Sequence, residues 1–142
     1  MLQLLRYLWA SPWSAVGLMV GALALASCGR VQQRGRVLEF YGGAVSWLLR
    51  WAPGTGCGAA AMTLGHVVLG QSATSLDRTR AHELVHVRQY ERWGPLFVPA
   101  YLLCSAFIYL RGGDGYRDNP FEREAFDLAA GLAPRARRER RG

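Results

Sequence analysis

His82, Glu83 and His86 form an H-E-x-x-H pattern within Arg80-Ala81-His82-Glu83-Leu84-Val85-His86-Val87-Arg88-Gln89. On a helix, residues four apart stand on one face, one turn from each other. Two imidazoles so placed reach a single metal ion at the roughly 2.0–2.1 Å of a zinc–nitrogen bond. The carboxylate of Glu83 then stands beside the ion, where it can take a proton from a water. The same five residues also fit an amphipathic helix with two ordinary histidines, so the surrounding chain has to distinguish the two readings.

The stretch around the motif is built as a helix. Ser72, Thr74 and Ser75 offer hydroxyls for the N-cap. Asp77 to Trp93 contains neither Pro nor Gly, and Gly94 followed by Pro95 stops it. The motif is therefore mid-helix, with Leu84, Val85, Val87 and Tyr90 available to pack it. Arg80 and Arg88 lie off the His82/His86 face, directed at solvent. A buried His-Glu-His cluster without a metal leaves polar groups unpaired at about 1–3 kcal/mol each.

A catalytic zinc takes three protein ligands and keeps one open position. A second helix supplies carboxylates: Asn119 suits its N-cap, Pro120 its first position, and Gly131 its end. It carries Glu122 and Glu124, and either can be the third ligand. Glu122 also stands three residues after Asn119, where a capping-box glutamate folds back and binds no metal. A site with no third protein ligand stays open as well. His66, in the strand-like stretch Met62–Leu69, is an alternative ligand or a plain strand histidine.

The H-E-x-x-H helix followed by Glu122-Arg123-Glu124-Ala125-Phe126 resembles the gluzincin metallopeptidases, in which a glutamate on a later helix completes the site, often within E-x-x-A-(D/N). The resemblance implies a zincin-like fold and a Zn2+ ion held by His82, His86 and Glu122. It also implies Glu83 as general base and hydrolysis of a peptide or protein substrate by metal-activated water. Tyr116 and Tyr90 are candidates to stabilise the oxyanion. Met62–Leu69 would be the edge strand along which such enzymes lay an extended substrate. Phe126 stands where the family has a polar residue that orients the first histidine; Asp127 and Asp118 are the nearby replacements. More narrowly, HELVHVRQYERWGPLFVPAYL followed by YRDNPFEREA resembles a family of small bacterial membrane-associated proteins. Two other readings stand beside the peptidase: a non-catalytic metal-binding or degenerate zincin-like protein acting as an adaptor, and a structural membrane protein with a fortuitous motif.

The chain that must position these residues divides in three: 1–29 as membrane anchor or signal segment, 30–131 as the zincin-like domain, and 132–142 as a basic, disordered tail. Tyr7 to Ser27 is 21 residues without a charge, long enough to cross a bilayer as a helix, with Trp9 and Trp13 suited to the headgroup level. A single-pass anchor is the first expectation. A cleaved signal, or a lipoprotein signal ending at Leu25-Ala26-Ser27-Cys28, are the alternatives. The expected fold class is α+β: this membrane helix, a short antiparallel sheet from 30–71, the motif helix, an apolar helix over 95–110, and the carboxylate helix. Ala44–Trp51 fits helix or strand equally. The 16 residues of 95–110 are short for a span. If they crossed, His86 and Glu122 would face opposite compartments, so the metal reading requires that they do not cross.

Composition adds less. Seventeen basic residues, all Arg, against 10 acidic give a net charge of +7. The charge is not gathered into one patch with interleaved aromatics, so nucleic acid is not an expected partner. Membrane lipid is, through the N-terminal apolar segment; Arg135, Arg137, Arg138, Arg140 and Arg141 near the end read first as a disordered, solvated tail and alternatively as a contact for anionic headgroups. Cys28, Cys57 and Cys104 share no metal-binding or redox spacing.

Overall fold

The computed structural model describes the backbone of residues 2–52 and 58–139 and the side chains of 4–52 and 58–131; Cys57 and the last arginines lie outside these. The elements are α1 (Leu2–Ala26), β1 (Arg30–Arg34), β2 (Val37–Tyr41), α2 (Gly43–Arg50), β3 (Ala61–Leu64), β4 (Val67–Gly70), α3 (Ala73–Trp93), α4 (Phe97–Leu110) and α5 (Pro120–Glu139). A short 3-10 turn, Gly94–Leu96, joins α3 to α4. The class is α+β, with an N-terminal apolar helix and a four-stranded sheet.

The sheet order is β1-β2-β4-β3. The expected all-antiparallel sheet is not what forms: β2 and β4 pair in parallel, Leu38 opposite Val67 and Phe40 opposite Leu69. The cause is α2, which fills Ala44–Trp51 as a helix and carries the chain across the sheet, as parallel strands require. Met62–Leu69 is likewise two strands. Gly65 turns the chain at φ 63, and β3 folds back on β4.

Both faces of the sheet are covered, so β4 is buried along its whole length. Phe40, Val67 and Leu69 face α1 and α2, packing with Ala24, Val45 and Leu49. Val37 and Val68 face α3, packing with Leu76 and Val87. α1 is therefore a layer of the fold. Its small residues allow close approach: a Cβ on Gly17 would stand 2.7 Å from that of Val67, and one on Gly21 would be 2.7 Å from the Phe40 ring. Trp13 Nε1 donates to the Pro95 carbonyl at 3.1 Å, and the His66 amide donates to Ser14 Oγ at 3.0 Å.

A third cluster lies where α1, α3, α4 and α5 meet, built on Ala10, Tyr90, Phe97 and Phe121. Half-buried Cys104 packs against it, as a small apolar group. α4 gives one face to this cluster and leaves Leu102, Leu103, Phe107 and Leu110 bare. Two helical stretches are long and apolar enough to cross a membrane, Leu4–Ala26 and Ala73–Leu110. α5 continues past Gly131, where its end was expected, to Glu139.

Candidate metal centre

α3 begins at the first of the three candidate caps. Ser72 is its N-cap, its Oγ accepting from the Ser75 amide at 3.1 Å. It ends at Gly94, whose φ of 56 suits glycine and whose missing side chain leaves room for the Trp9 indole. Rotation of α3 on the sheet is fixed from Arg80. This side chain is not directed at solvent as expected. It forks onto Glu39 of β2, with Nε–Oε1 at 2.8 Å and Nη2–Oε2 at 2.9 Å, and reaches Asp77 at 2.7 Å. Glu39 is 2% exposed, and Gln32 donates to it at 2.6 Å. Such a bidentate pair has one geometry, and it sets the helix face two residues before His82. Arg88 is exposed, and Leu84 faces outward instead of packing.

His82, His86 and Glu122 come together. His86 Nε2 and His82 Nε2 are 3.0 Å apart; Glu122 Oε2 lies 3.1 Å from His82 Nε2, and Glu122 Oε1 lies 3.4 Å from His86 Nε2. Ligand atoms at about 2.0–2.1 Å around a tetrahedral ion stand roughly 3.3 Å from each other. The two imidazole nitrogens and the Glu122 carboxylate, which turns one oxygen to each, thus stand at about these separations, and the group could hold a metal ion.

The hydrogen bonding agrees with that use. Gln89 Nε2 donates to the Phe121 carbonyl at 3.0 Å and to Glu124 at 2.8 Å, which commits its oxygen to accept. His86 Nδ1, 2.8 Å from that oxygen, must carry the proton, so Nε2 keeps its lone pair. His82 Nδ1 and Glu122 Oε2 are buried without hydrogen-bond partners. The 3.1 Å approach of Glu122 Oε2 to His82 is charge proximity without hydrogen-bond alignment. With the His86 proton on Nδ1, His82 Nε2 donates to His86 Nε2 across 3.0 Å, and the buried His82 Nδ1 and Glu122 Oε2 that remain without partners are a cost that a bound cation would offset at the carboxylate.

The structure separates the other candidates. Glu124 turns away to Gln89 and to Arg92 at 3.6 Å, so it is not in the group. Glu122 does not form the capping box: the Asn119 amide donates to the Tyr116 carbonyl, and Asn119 Oδ1 caps by accepting from the Phe121 amide at 3.0 Å. His66 sits in the β3–β4 turn, its ring 4.2 Å from that of Tyr7 and its Nε2 3.2 Å from Glu91, remote from the centre. Asp118 accepts from the Asp114 amide, and Asp127 is exposed; neither reaches His82. Phe126 instead lies against the His82 ring, centroids 4.6 Å apart.

Glu83 is 5% exposed and faces β3, where Thr63 Oγ1 donates to its Oε2 at 2.6 Å. Burial pushes its carboxyl above the usual range, against the pull of His86, Thr63 and His82. Glu122 goes the other way. Burial works to raise it, but His82, His86 and Tyr101 prevail and bring it down to about 2. Two carboxyls that feel each other's charge thus differ in proton affinity, the pattern of a base beside a permanent anion. Of the candidate oxyanion groups, Tyr90 is engaged, donating to the Thr63 carbonyl at 3.1 Å. Tyr116 stays half-buried beside Glu122. Sequence reasoning missed Thr63, Gln89 and Tyr101. Tyr101 donates to Glu122 Oε1 at 2.8 Å from α4. Only Gln89, one turn beyond His86 on the same helix, left a signal in the spacing.

No protein-family model matches the chain, nor does any curated protein or any solved structure.

Proposed function

We propose that the chain is a membrane-attached zinc-dependent peptidase of gluzincin type. What carries the reading is the convergence of His82, His86 and Glu122 at tetrahedral-edge distances, with His86 held in its metal-binding tautomer. The fit of His86 and Glu122 is also what α4 must allow. α3 and α5 lie side by side, so 95–110 does not separate them across a bilayer. Zinc held by the three residues supplies Lewis acidity that lowers the pKa of a water toward about 7.

The chain's own residues account for the remaining steps. Glu83 receives the proton lost by the attacking water and delivers it to the leaving amine. Thr63 holds one oxygen of that carboxylate and leaves the other to work. Burial raises its proton affinity above that of an ordinary carboxyl, the direction a general base needs. Tyr116, beside Glu122, is the remaining candidate to steady the developing oxyanion. An extended substrate laid along the edge strand β3 meets a Thr63 carbonyl already accepting from Tyr90, so pairing there is incomplete.

The test is Glu83→Gln on purified protein. Wild type is expected to bind one zinc and cleave an unfolded protein substrate. The variant is expected to retain zinc and lose about 10²- to 10⁴-fold in rate. Absence of zinc from the wild type, or full cleavage by the variant, refutes the reading. A second reading, a metal-binding protein without catalysis, is favoured by Phe126, which gives His82 an apolar neighbour and leaves Nδ1 without a partner. Stoichiometric zinc with no cleavage would select it.

A further inference from the structure

α1 is both a wall of the fold and, from Tyr7 onward, an uncharged apolar helix, and together these properties decide how it meets a bilayer. Its contacts with the domain run nearly end to end. Trp9 packs on Gly94, Ser14 Oγ accepts from the His66 amide, Gly17 and Gly21 touch Val67 and Phe40, and Ser27 Oγ accepts from the Ala44 amide at 2.7 Å. From Trp9 to Ser27 that is about 27 Å at 1.5 Å per residue, close to the roughly 30 Å of a hydrocarbon core. A bilayer crossed by α1 would therefore hold the sheet at the same depth. β1 is an edge strand that exposes Arg30, Gln33 and Arg34, and hydrocarbon tolerates neither open strand edges nor these side chains.

The face of α1 turned away from the sheet is bare. Leu8, Leu18, Met19 and Leu23 stand on it, with Met19 63% exposed. Other elements present matching groups: Trp47 and Trp51 at α2, the latter 72% exposed, and Leu103 and Phe107 on α4, the former 71% exposed. Arginines border two of these: Arg50 beside the tryptophans, and Arg111 over the Phe107 ring at 4.6 Å; Arg6, at the start of α1, leans to Glu91 of α3 at 3.8 Å. Apolar faces edged by Trp and Arg suit the headgroup–acyl boundary, and a chain of net charge +7 suits anionic headgroups.

We propose that the protein is monotopic: α1 lies in the plane of an anionic bilayer surface with its bare face inserted, and does not cross. The domain then sits on one side of the membrane, with both ends of α1 in that compartment. This stands independently of the metal centre and is read without any measure of activity.

The full chain is tested in two ways. In sealed membrane vesicles of either orientation, Cys28 is probed with a membrane-impermeant maleimide in a Cys57→Ser/Cys104→Ser background. Arg6→Cys is probed after Cys28→Ser is added. Labelling of both positions from the same side is expected; labelling from opposite sides means that α1 crosses and overturns the proposal. Cleavage before Cys28, read by mass, also overturns it. Purified protein is then floated with phosphatidylcholine vesicles with and without phosphatidylglycerol. Wild type should float, more completely with phosphatidylglycerol. Leu18→Asp/Leu23→Asp, whose side chains sit on the bare face, should stay unbound with an unchanged melting temperature. A folded variant that floats as wild type does, or a wild-type protein that ignores both vesicles and pairs with a second copy, overturns the proposal. If the variant does not fold, the labelling pattern decides alone.

Discussion

Gln89 Oε1 accepts a hydrogen bond from Nδ1 of His86 at 2.8 Å, while the Gln89 amide nitrogen is committed to Phe121 and Glu124. One side chain thus couples the tautomer of a candidate ligand on α3 to the backbone of α5, the helix that brings the third ligand. Gln89→Leu removes the acceptor at similar volume. Zinc affinity, measured by competition with a chromogenic chelator, should fall about 10- to 100-fold. Gln89→Glu keeps an acceptor and should lose less. Equal affinities in all three proteins would contradict the role.

Glu122 and Glu124 are two residues apart, yet only Glu122 enters the centre. Glu122→Gln should leave no zinc after gel filtration. Glu124→Gln should keep it, since a glutamine there can still accept from Gln89. Metal analysis of the two proteins separates them, and zinc loss from the Glu124 variant alone would reverse the assignment.

The Arg80–Glu39 fork is a structural pair with a positional consequence. Glu39→Ala leaves Arg80 without its main partner. The side-chain exposures are 26% for Arg80 and 3% for Glu39. Breaking such a pair should cost roughly 3 kcal/mol, the low end for buried pairs because Arg80 is partly solvated. Denaturant unfolding measures this, and a loss below about 1 kcal/mol would show the pair to be a surface contact.

pH should act in opposite senses on the metal-free and metal-loaded protein. Burial alone would lower His86, but the Glu122 hydrogen bond and the charges of Glu83 and Glu122 raise it above its ordinary value. A group whose folded pKa is raised stabilises the fold below its unfolded pKa and loses that contribution as pH rises through the folded value. Metal-free protein in chelator should therefore melt lower at pH 8 than at about pH 6, and burial of Glu83 acts in the same direction. Glu122, held down to about 2, contributes above the ordinary carboxylate range and weakens only in strong acid. Zinc needs neutral imidazoles, so with zinc in excess the melting temperature should rise over the same interval. Parallel trends in the two series would mean that zinc does not bind through His86.

The motif helix was legible because its signals are local. Serine hydroxyls before it, Gly94-Pro95 after it and the four-residue histidine spacing all act within a turn or two. Glu122 was legible through Asn119-Pro120, again a local helix start. The parallel pairing of β2 with β4 was not, because short apolar strands carry no mark of their partner's direction and α2 could not be told from a strand. Arg80 looked solvent-bound since its partner, Glu39, lies on another element far back in the chain. Thr63 and Tyr101 serve Glu83 and Glu122 from other elements too, 20 and 21 residues away. The uncharged run of α1 announced membrane contact, but its alternation of Gly17, Gly21 and Ala24 with bulky residues carried the second fact, a docking face, that length and hydropathy alone obscure.

That docking face has a consequence for synthesis. α1 is made first, yet its partners come later: Phe40, then Val67, and then Gly94 and Pro95, roughly 70 residues after the helix ends. At about 5–20 residues per second, the helix waits on the order of 3–14 s for its last contact. Until β2 and β4 follow it, both of its faces are apolar and uncovered. The nascent helix therefore needs a surface to rest on before the sheet exists, and the domain is assembled against a helix already in place.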